Sequence, residues 1–245
     1  MKRLTVAVAL VGCVVGAWPV CAEEPKGDQP TEGTWSELTA QYTMLFMVKQ
    51  YAKSSEIAQR ALAVAERAFS ADDPKVAQTL NDLGTLYQLQ GRAVEAEPIH
   101  QRALAIRTRA LPGDDPAVAQ SLNNLAKAYQ AEGKYADAQP LLQQSLSVMT
   151  KHLGENSLHV AVVLGYLADG SSRLGENAKA EELFKRSLAI IERNAGNRYL
   201  DVQPTLERYA AFLRSANRPQ EADAIDAKAA ALRAPAPTAH QGTSK

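Results

Sequence analysis

Asn81 and Asn123 stand 42 residues apart in closely similar surroundings, LNDLGTLYQLQG and LNNLAKAYQAEG. Asparagine is a mediocre helix former because its amide competes with the backbone for hydrogen bonds. Its return at one phase of a helical pattern therefore marks a side chain kept as donor and acceptor. That chemistry is recognition rather than reaction: the amide holds either a ligand or a neighbouring helix. Polar residues flank both positions at helical spacing, with Gln78, Thr85 and Gln88 around the first and Gln120, Lys127 and Gln130 around the second.

Bond-making chemistry finds less support. The four histidines include no pair at the i, i+4 spacing of a helical metal site, and a turn is predicted between His152 and His159. His100 reads as a packing residue rather than a ligand. Ser171 and Ser172 lie in DGSSR, a stretch of helical periodicity and not a strand-to-helix nucleophile elbow. Glu95, Glu97, Glu181 and Glu182 fit a solvated helix face. With no glycine-rich phosphate loop either, the sequence predicts no catalytic, cofactor-binding or metal-binding residue.

The elements that must position the polar residues are helices. The chain is 46% hydrophobic and only 6% aromatic, and its dominance by alanine and leucine favours close-packed helices over sheets. Lys plus Arg equals Asp plus Glu, 27 against 27, so the overall basicity of a protein that tracks a phosphate backbone is missing, and nucleic acid is not the expected partner.

Residues 1–22, MKRLTVAVALVGCVVGAWPVCA, join a basic start to an apolar run, a proline and a small-residue cleavage site, the layout of a secretory signal. The run of about 15 residues is short of the roughly 20 that a spanning helix needs, so no membrane insertion is expected after processing. LVGC at 10–13 offers a rival, lipidation at Cys13, which leaves an apolar VVGAW start. Cleavage after Ala22 removes Cys13 and Cys21, the two cysteines of the chain, and with Lys2 and Arg3 lost the balance becomes 25 against 27. Residues 23–33, EEPKGDQPTEG, read as a flexible linker, and 234–245, APAPTAHQGTSK, as a disordered tail. The array occupies 34–233.

Within it the 42-residue step carries Leu38 to Leu80, Leu122, Leu164 and Leu206, and Ser54 to Ala96, Ala138, Ala180 and Ala222. Gly91, Gly133 and Gly175 align with Asn217, residues suited to the left-handed conformation that ends a helix. Five helix pairs follow, at 34–48 and 51–69, 75–90 and 93–111, 117–132 and 135–153, 158–174 and 177–194, and 200–216 and 219–233. Asp-Asp-Pro at 72–74 and 114–116 supplies N-caps followed by proline. Pro98 and Pro140 fall just past the first turn of a second helix, which implies either a bend or a slightly later start.

This pattern resembles the tetratricopeptide repeat, in the 42-residue form of kinesin light chains and many exported bacterial proteins. The small residue of the first helix corresponds to Gly84, Ala126, Ala168 and Ala210, the aromatic to Tyr87 and Tyr129, and the second-helix alanines to Ala96, Ala103 and Ala138. The first copy departs most, with Tyr42 in the small slot and Lys49 in the glycine slot. The last, with Tyr209 in a leucine slot and Pro204 inside its first helix, looks like a cap. The resemblance implies an all-α, right-handed superhelical solenoid of antiparallel helix pairs whose first helices form a concave binding wall. It places Gln78, Asn81, Thr85, Gln88, Gln120, Asn123, Lys127, Gln130, Asp169 and Arg173 in that groove, with Val162 and Ser172 beside them and Gly165 in the asparagine slot.

In similar repeats the asparagines grip the backbone of an extended peptide; the alternative, that they brace neighbouring helices, stays open. The expectation is a non-catalytic interaction scaffold, periplasmic or secreted, binding a protein or peptide segment. A self-assembling envelope subunit is the rival reading, and an enzyme with an unusual site is a third.

Overall fold

A computed structural model describes residues 31–194 and 202–233. The signal segment 1–22 with Cys13, most of the linker, the stretch 195–201 and the tail 234–245 lie outside the described residues. The rest forms ten helices: α1 (Glu32–Met47), α2 (Tyr51–Ala68), α3 (Pro74–Leu89), α4 (Ala93–Ala110), α5 (Pro116–Ala131), α6 (Tyr135–Leu153), α7 (Leu158–Arg173), α8 (Asn177–Arg193), α9 (Gln203–Ser215) and α10 (Pro219–Arg233). Consecutive helices pack in pairs, and through α7 each pair packs on the next. The result is an all-α repeat solenoid. Residues 31–33, assigned to the linker, instead form the start of α1: Thr31 is its N-cap and accepts from the Thr34 N–H.

Helix starts follow the cap chemistry. Asp73 and Asp115 accept from the backbone N–H of Lys75 and Ala117, with Pro74 and Pro116 opening the helices, and Ser157 does the same for His159. Each turn inside a pair closes with one residue in the left-handed region: Lys49 (φ 58°), Gly91 (76°), Gly133 (78°), Gly175 (82°) and Asn217 (59°). Lys49 thus adopts the glycine conformation despite its side chain. Pro98 and Pro140 sit inside α4 and α6, whose starts are where the pattern put them, so a later start is excluded.

Leu38, Leu80, Leu122, Leu164 and Leu206 are all buried, as are Ser54, Ala96, Ala138, Ala180 and Ala222. One pair cannot cover its own apolar faces, so stacking buries them. The ends of the stack are treated differently. On α1, Thr34, Glu37 and Gln41 occupy the phases of buried Val76, Thr79 and Leu83 and are exposed. A polar face there closes the array.

At the other end α9 packs on α7 more closely than α3 on α5 or α5 on α7. Gly165 is the reason, because a Cβ added to it would lie 2.3 Å from the Thr205 methyl carbon. Pro204 falls in the first turn of α9, where its missing N–H costs nothing, and not in the helix interior. Phe184, Tyr209 and Phe212 fill the last joint, the first two stacked at 4.9 Å between ring centroids.

Helix size is exchanged across facing slots. Gly84 admits the His100 ring, which would meet an added Cβ at 2.6 Å. In the first pair the large residue is on the other side, Tyr42 with Ala58, both buried in one cluster. Tyr42 therefore fits the slot that elsewhere takes a small residue.

Candidate functional site

The first helix of every pair contributes to a concavity of about 800 Å³. Asn81, Thr85, Gln88, Gln120, Asn123, Lys127, Gln130 and Asp169 line it, as does Val162. Gln78 and Arg173 are predicted groove residues outside the lining, and so is Ser172 beside them. The concavity also takes in Tyr42, Phe46, Asp82, Leu89, Tyr166, Pro204 and Arg208, none of which the sequence reading placed in the groove. A signal existed for some of them, since Asp82, Asn124, Tyr166 and Arg208 recur at one phase of the 42-residue step.

Much of the polar lining is committed to the stack itself. Gln88 donates to the Asn124 carbonyl at 3.2 Å, and Gln130, 42 residues on, donates to the Tyr166 carbonyl at 2.8 Å. Thr85 Oγ1 donates to the Asn81 carbonyl on its own helix. Asn81 is buried and engaged at both ends of its amide. Its Nδ2 donates to Ser121 Oγ at 2.7 Å, and its Oδ1 is 3.2 Å from His100 Nδ1. An amide oxygen only accepts, so the imidazole carries its proton on Nδ1.

This contact belongs to a polar seam between the second and third pairs. Arg107 Nη1 donates to the Ala117 carbonyl (2.8 Å), Gln120 Oε1 (3.1 Å) and Ser121 Oγ (3.1 Å), while Nη2 donates to Gln78 Oε1 (2.8 Å). Gln78 passes the chain on by donating to Asp82 Oδ1 at 2.9 Å, and Tyr42 donates to Asp82 Oδ2 at 2.6 Å. Burial lowers the Arg107 pKa against the upward pull of Asp82 and Asp115. It raises that of Asp82 in spite of the Tyr42 and Gln78 donors and the Arg107 charge. It also raises the Tyr42 phenol, helped by Asp82.

The far half of the concavity is different. Asn123 Oδ1 is buried without a hydrogen-bond partner, and so is Arg208 Nη1. Lys127 lies with Nζ 5.0 Å from the Tyr166 ring centroid, and the Arg208 guanidinium lies 4.1 Å from the same ring. Asp169 is 3.9 Å from Arg208 Nε and 3.7 Å from Arg173 Nε, so two cations share one carboxylate. Such a surface can hold an acceptor-rich, extended ligand through unspent donors, a free amide oxygen and an aromatic face. Among the described residues no group of three or more His, Cys, Asp or Glu side chains is placed to hold a metal ion.

The tetratricopeptide-repeat profile matches residues 43–109, 83–151 and 117–193 in overlapping frames, more than half of the chain. No curated relative matches. Among solved structures, the nearly identical TPR-like repeats of a presumed kinesin light chain from Podosopora anserina superpose with a TM-score of 0.65 at 20% identity, covering 84% of this chain and 97% of that one. BtubC (BKLC) of P. vanneervenii gives 0.65 at 22%, covering 84% of each. Aspartyl phosphate phosphatase F of Bacillus subtilis gives 0.60 at 15%, covering 86% of this chain and 62% of that one. At these identities the likeness is one of fold, and the family follows from the profile: the chain belongs to the tetratricopeptide-repeat family.

Proposed function

We propose that this chain is an exported, non-catalytic scaffold that holds an extended segment of a partner protein along its concave wall, with Asn123, Lys127, Tyr166 and Arg208 as the gripping end. The observation that carries this reading is the pair of unmet polar atoms, Asn123 Oδ1 and Arg208 Nη1, in one concavity. A buried unpaired polar atom costs about 1–3 kcal/mol, and a ligand backbone N–H and carbonyl or carboxylate oxygens would relieve both once the two side chains turn toward the cavity. Family membership supports the scaffold, and the tripartite segment 1–22 supports export to the periplasm or medium.

The test is affinity capture from the envelope fraction with the wild-type chain and with Asn123→Ala/Lys127→Ala. Partners retained by the first and lost by the second support the groove. An identical set on both would sink it. Mass spectrometry of the exported protein checks processing: a start at Glu23 is expected, and a lipidated Cys13 overturns it.

Self-assembly has one observation in its favour, the exposed apolar side chains of Met44, Met47 and Val48 at the end of α1. Light scattering over a concentration series decides. A monomer at every concentration removes this reading.

A further inference from the structure

We infer that the seam between the second and third helix pairs is an acid-sensitive hinge, in which a proton taken up by His100 releases α3–α4 from α5–α6. The apolar core supports this first. The buried clusters of the amino-terminal part draw on α1 to α4 and those of the carboxy-terminal part on α5 to α10, and no cluster among the described residues contains both. α4 packs on α5 as extensively as α2 on α3, and it is the polar seam that sets this joint apart.

In the first, third and fourth pairs the phases of Arg107 and His100 are apolar. Arg107 aligns with Ala65, Met149 and Ile191 and His100 with Ala58, Leu142 and Phe184, whereas the last pair has Arg233 and Asp226 there, and Ser121 shares its phase with Thr79, Val163 and Thr205. The pairing of a buried histidine with a buried arginine is therefore particular to this joint among the first four pairs, while a hydroxyl at the Ser121 phase recurs along the array.

His100 is the member that can change charge near neutrality. Its ring is fully buried against Gly84, its Nδ1–H is spent on Asn81 Oδ1, and its Nε2 is buried with no partner. Protonation would create a buried Nε2–H donor with no acceptor. It would also add a cation to a site that already holds Arg107 on α4 and faces Lys127 on α5. The carboxylates near the seam are Asp82 on α3, already bonded to Tyr42 and Gln78, and Asp115 before α5, which caps the Ala117 N–H. Arg107 itself is met only by neutral oxygens. Burial, with Lys127 adding to it, accordingly holds the His100 pKa down at about 4.

The sign follows from that depression. The closed seam holds neutral His100, whereas an opened seam lets the imidazole titrate near its ordinary value of about 6.5. The open form therefore binds more protons between these values. Opening becomes easier as pH falls from about 6.5 to about 4 and levels off below, by roughly 300-fold in all at one proton's linkage over the 2.5-unit gap. The groove's two halves, Asn81 on one side and Asn123 with Lys127 on the other, would part at this joint whatever the partner is.

The experiment is hydrogen–deuterium exchange by mass spectrometry on the full chain between pH 7 and 3.5, corrected for intrinsic exchange rates, with wild type and His100→Leu. Leucine occupies the equivalent position as Leu142. Wild type should lose protection in peptides from α3, α4 and α5 across pH 6.5 to 4 while α7 and α8 keep theirs, and His100→Leu should stay flat. His100→Gln, able to bond Asn81 without titrating, should behave like the leucine variant and carries the test if that variant misfolds. Loss of protection in α7 and α8 together with the seam, no change in wild type, or the wild-type profile retained in a non-titrating variant would each overturn the hinge.

Discussion

Asn81 and Asn123 occupy one phase of one repeat, yet the molecule uses them differently. Around Asn81 the facing slot holds His100 and the next helix offers Ser121, so both ends of the amide are bonded. Around Asn123 the same two phases hold Leu142 and Val163, which have no polar atom to give, and Oδ1 is left unmet. A repeat fixes where a side chain goes. Its neighbours in adjacent repeats decide whether that side chain braces the stack or keeps an unmet polar atom.

The largest test of this contrast is Asn81→Ala. It strands the His100 Nδ1–H in a dry site and removes a donor from Ser121, so unfolding free energy should fall by about 2–3 kcal/mol. Urea denaturation measures it, and a loss below about 0.5 kcal/mol would mean that the seam is not a brace.

Gly84→Ala comes next. It gives the second pair the small residue that the third has in Ala126, but the new Cβ would meet the imidazole at 2.6 Å. Overpacking of this kind costs about 1–3 kcal/mol. The same substitution made in His100→Leu, which restores the third pair's combination, should recover most of the loss in a double-mutant cycle. Ala138→Leu, at a fully buried crossing inside the third pair, should cost a similar amount without touching the seam.

Gln88→Ala and Gln130→Ala serve as the control, because both side chains donate to a carbonyl of the next first helix. Equal contacts should give equal losses, about 1 kcal/mol each. A large difference in melting temperature between the two would show that even repeated bonds depend on which joint they span.

Much of the fold was legible because the 42-residue step repeats the residues that set it: the leucine register, the small slot, the glycine turns and the Asp-Pro starts all lie where the pattern put them. What the step could not reveal are the departures from it. Tyr42 in a small slot is answered by Ala58, Gly165 in the asparagine slot by Thr205 from α9, and Lys49 takes the left-handed turn on its own. Each depends on a residue in another helix or on backbone energetics that local spacing does not carry.

The groove was half legible for the same reason. Its positions followed from phase, but the bonds of Gln78 and Gln120 to Arg107 depend on a residue in α4, outside the first-helix pattern. The partition into spent and unspent donors became visible only with all neighbours in place.

Asn123→Ala should have the smallest effect on stability and the most specific effect on function. Its Oδ1 makes no hydrogen bond within the described structure, so truncation strands no acceptor or donor on that side and removes a desolvated oxygen that was never compensated. Unfolding free energy should stay within about 0.5 kcal/mol of wild type, where Asn81→Ala loses several times more. Binding should move in the opposite sense. If a partner backbone N–H reaches Oδ1, the truncation removes a hydrogen bond worth about 0.5–1.5 kcal/mol, or roughly 2- to 13-fold in Kd, and adding Lys127→Ala should weaken binding further without lowering the melting point. Measuring melting and partner affinity on the same two single variants separates the roles. Should Asn123→Ala melt early with binding intact, the two asparagines would be braces alike, and the contrast between the halves of the groove would be gone.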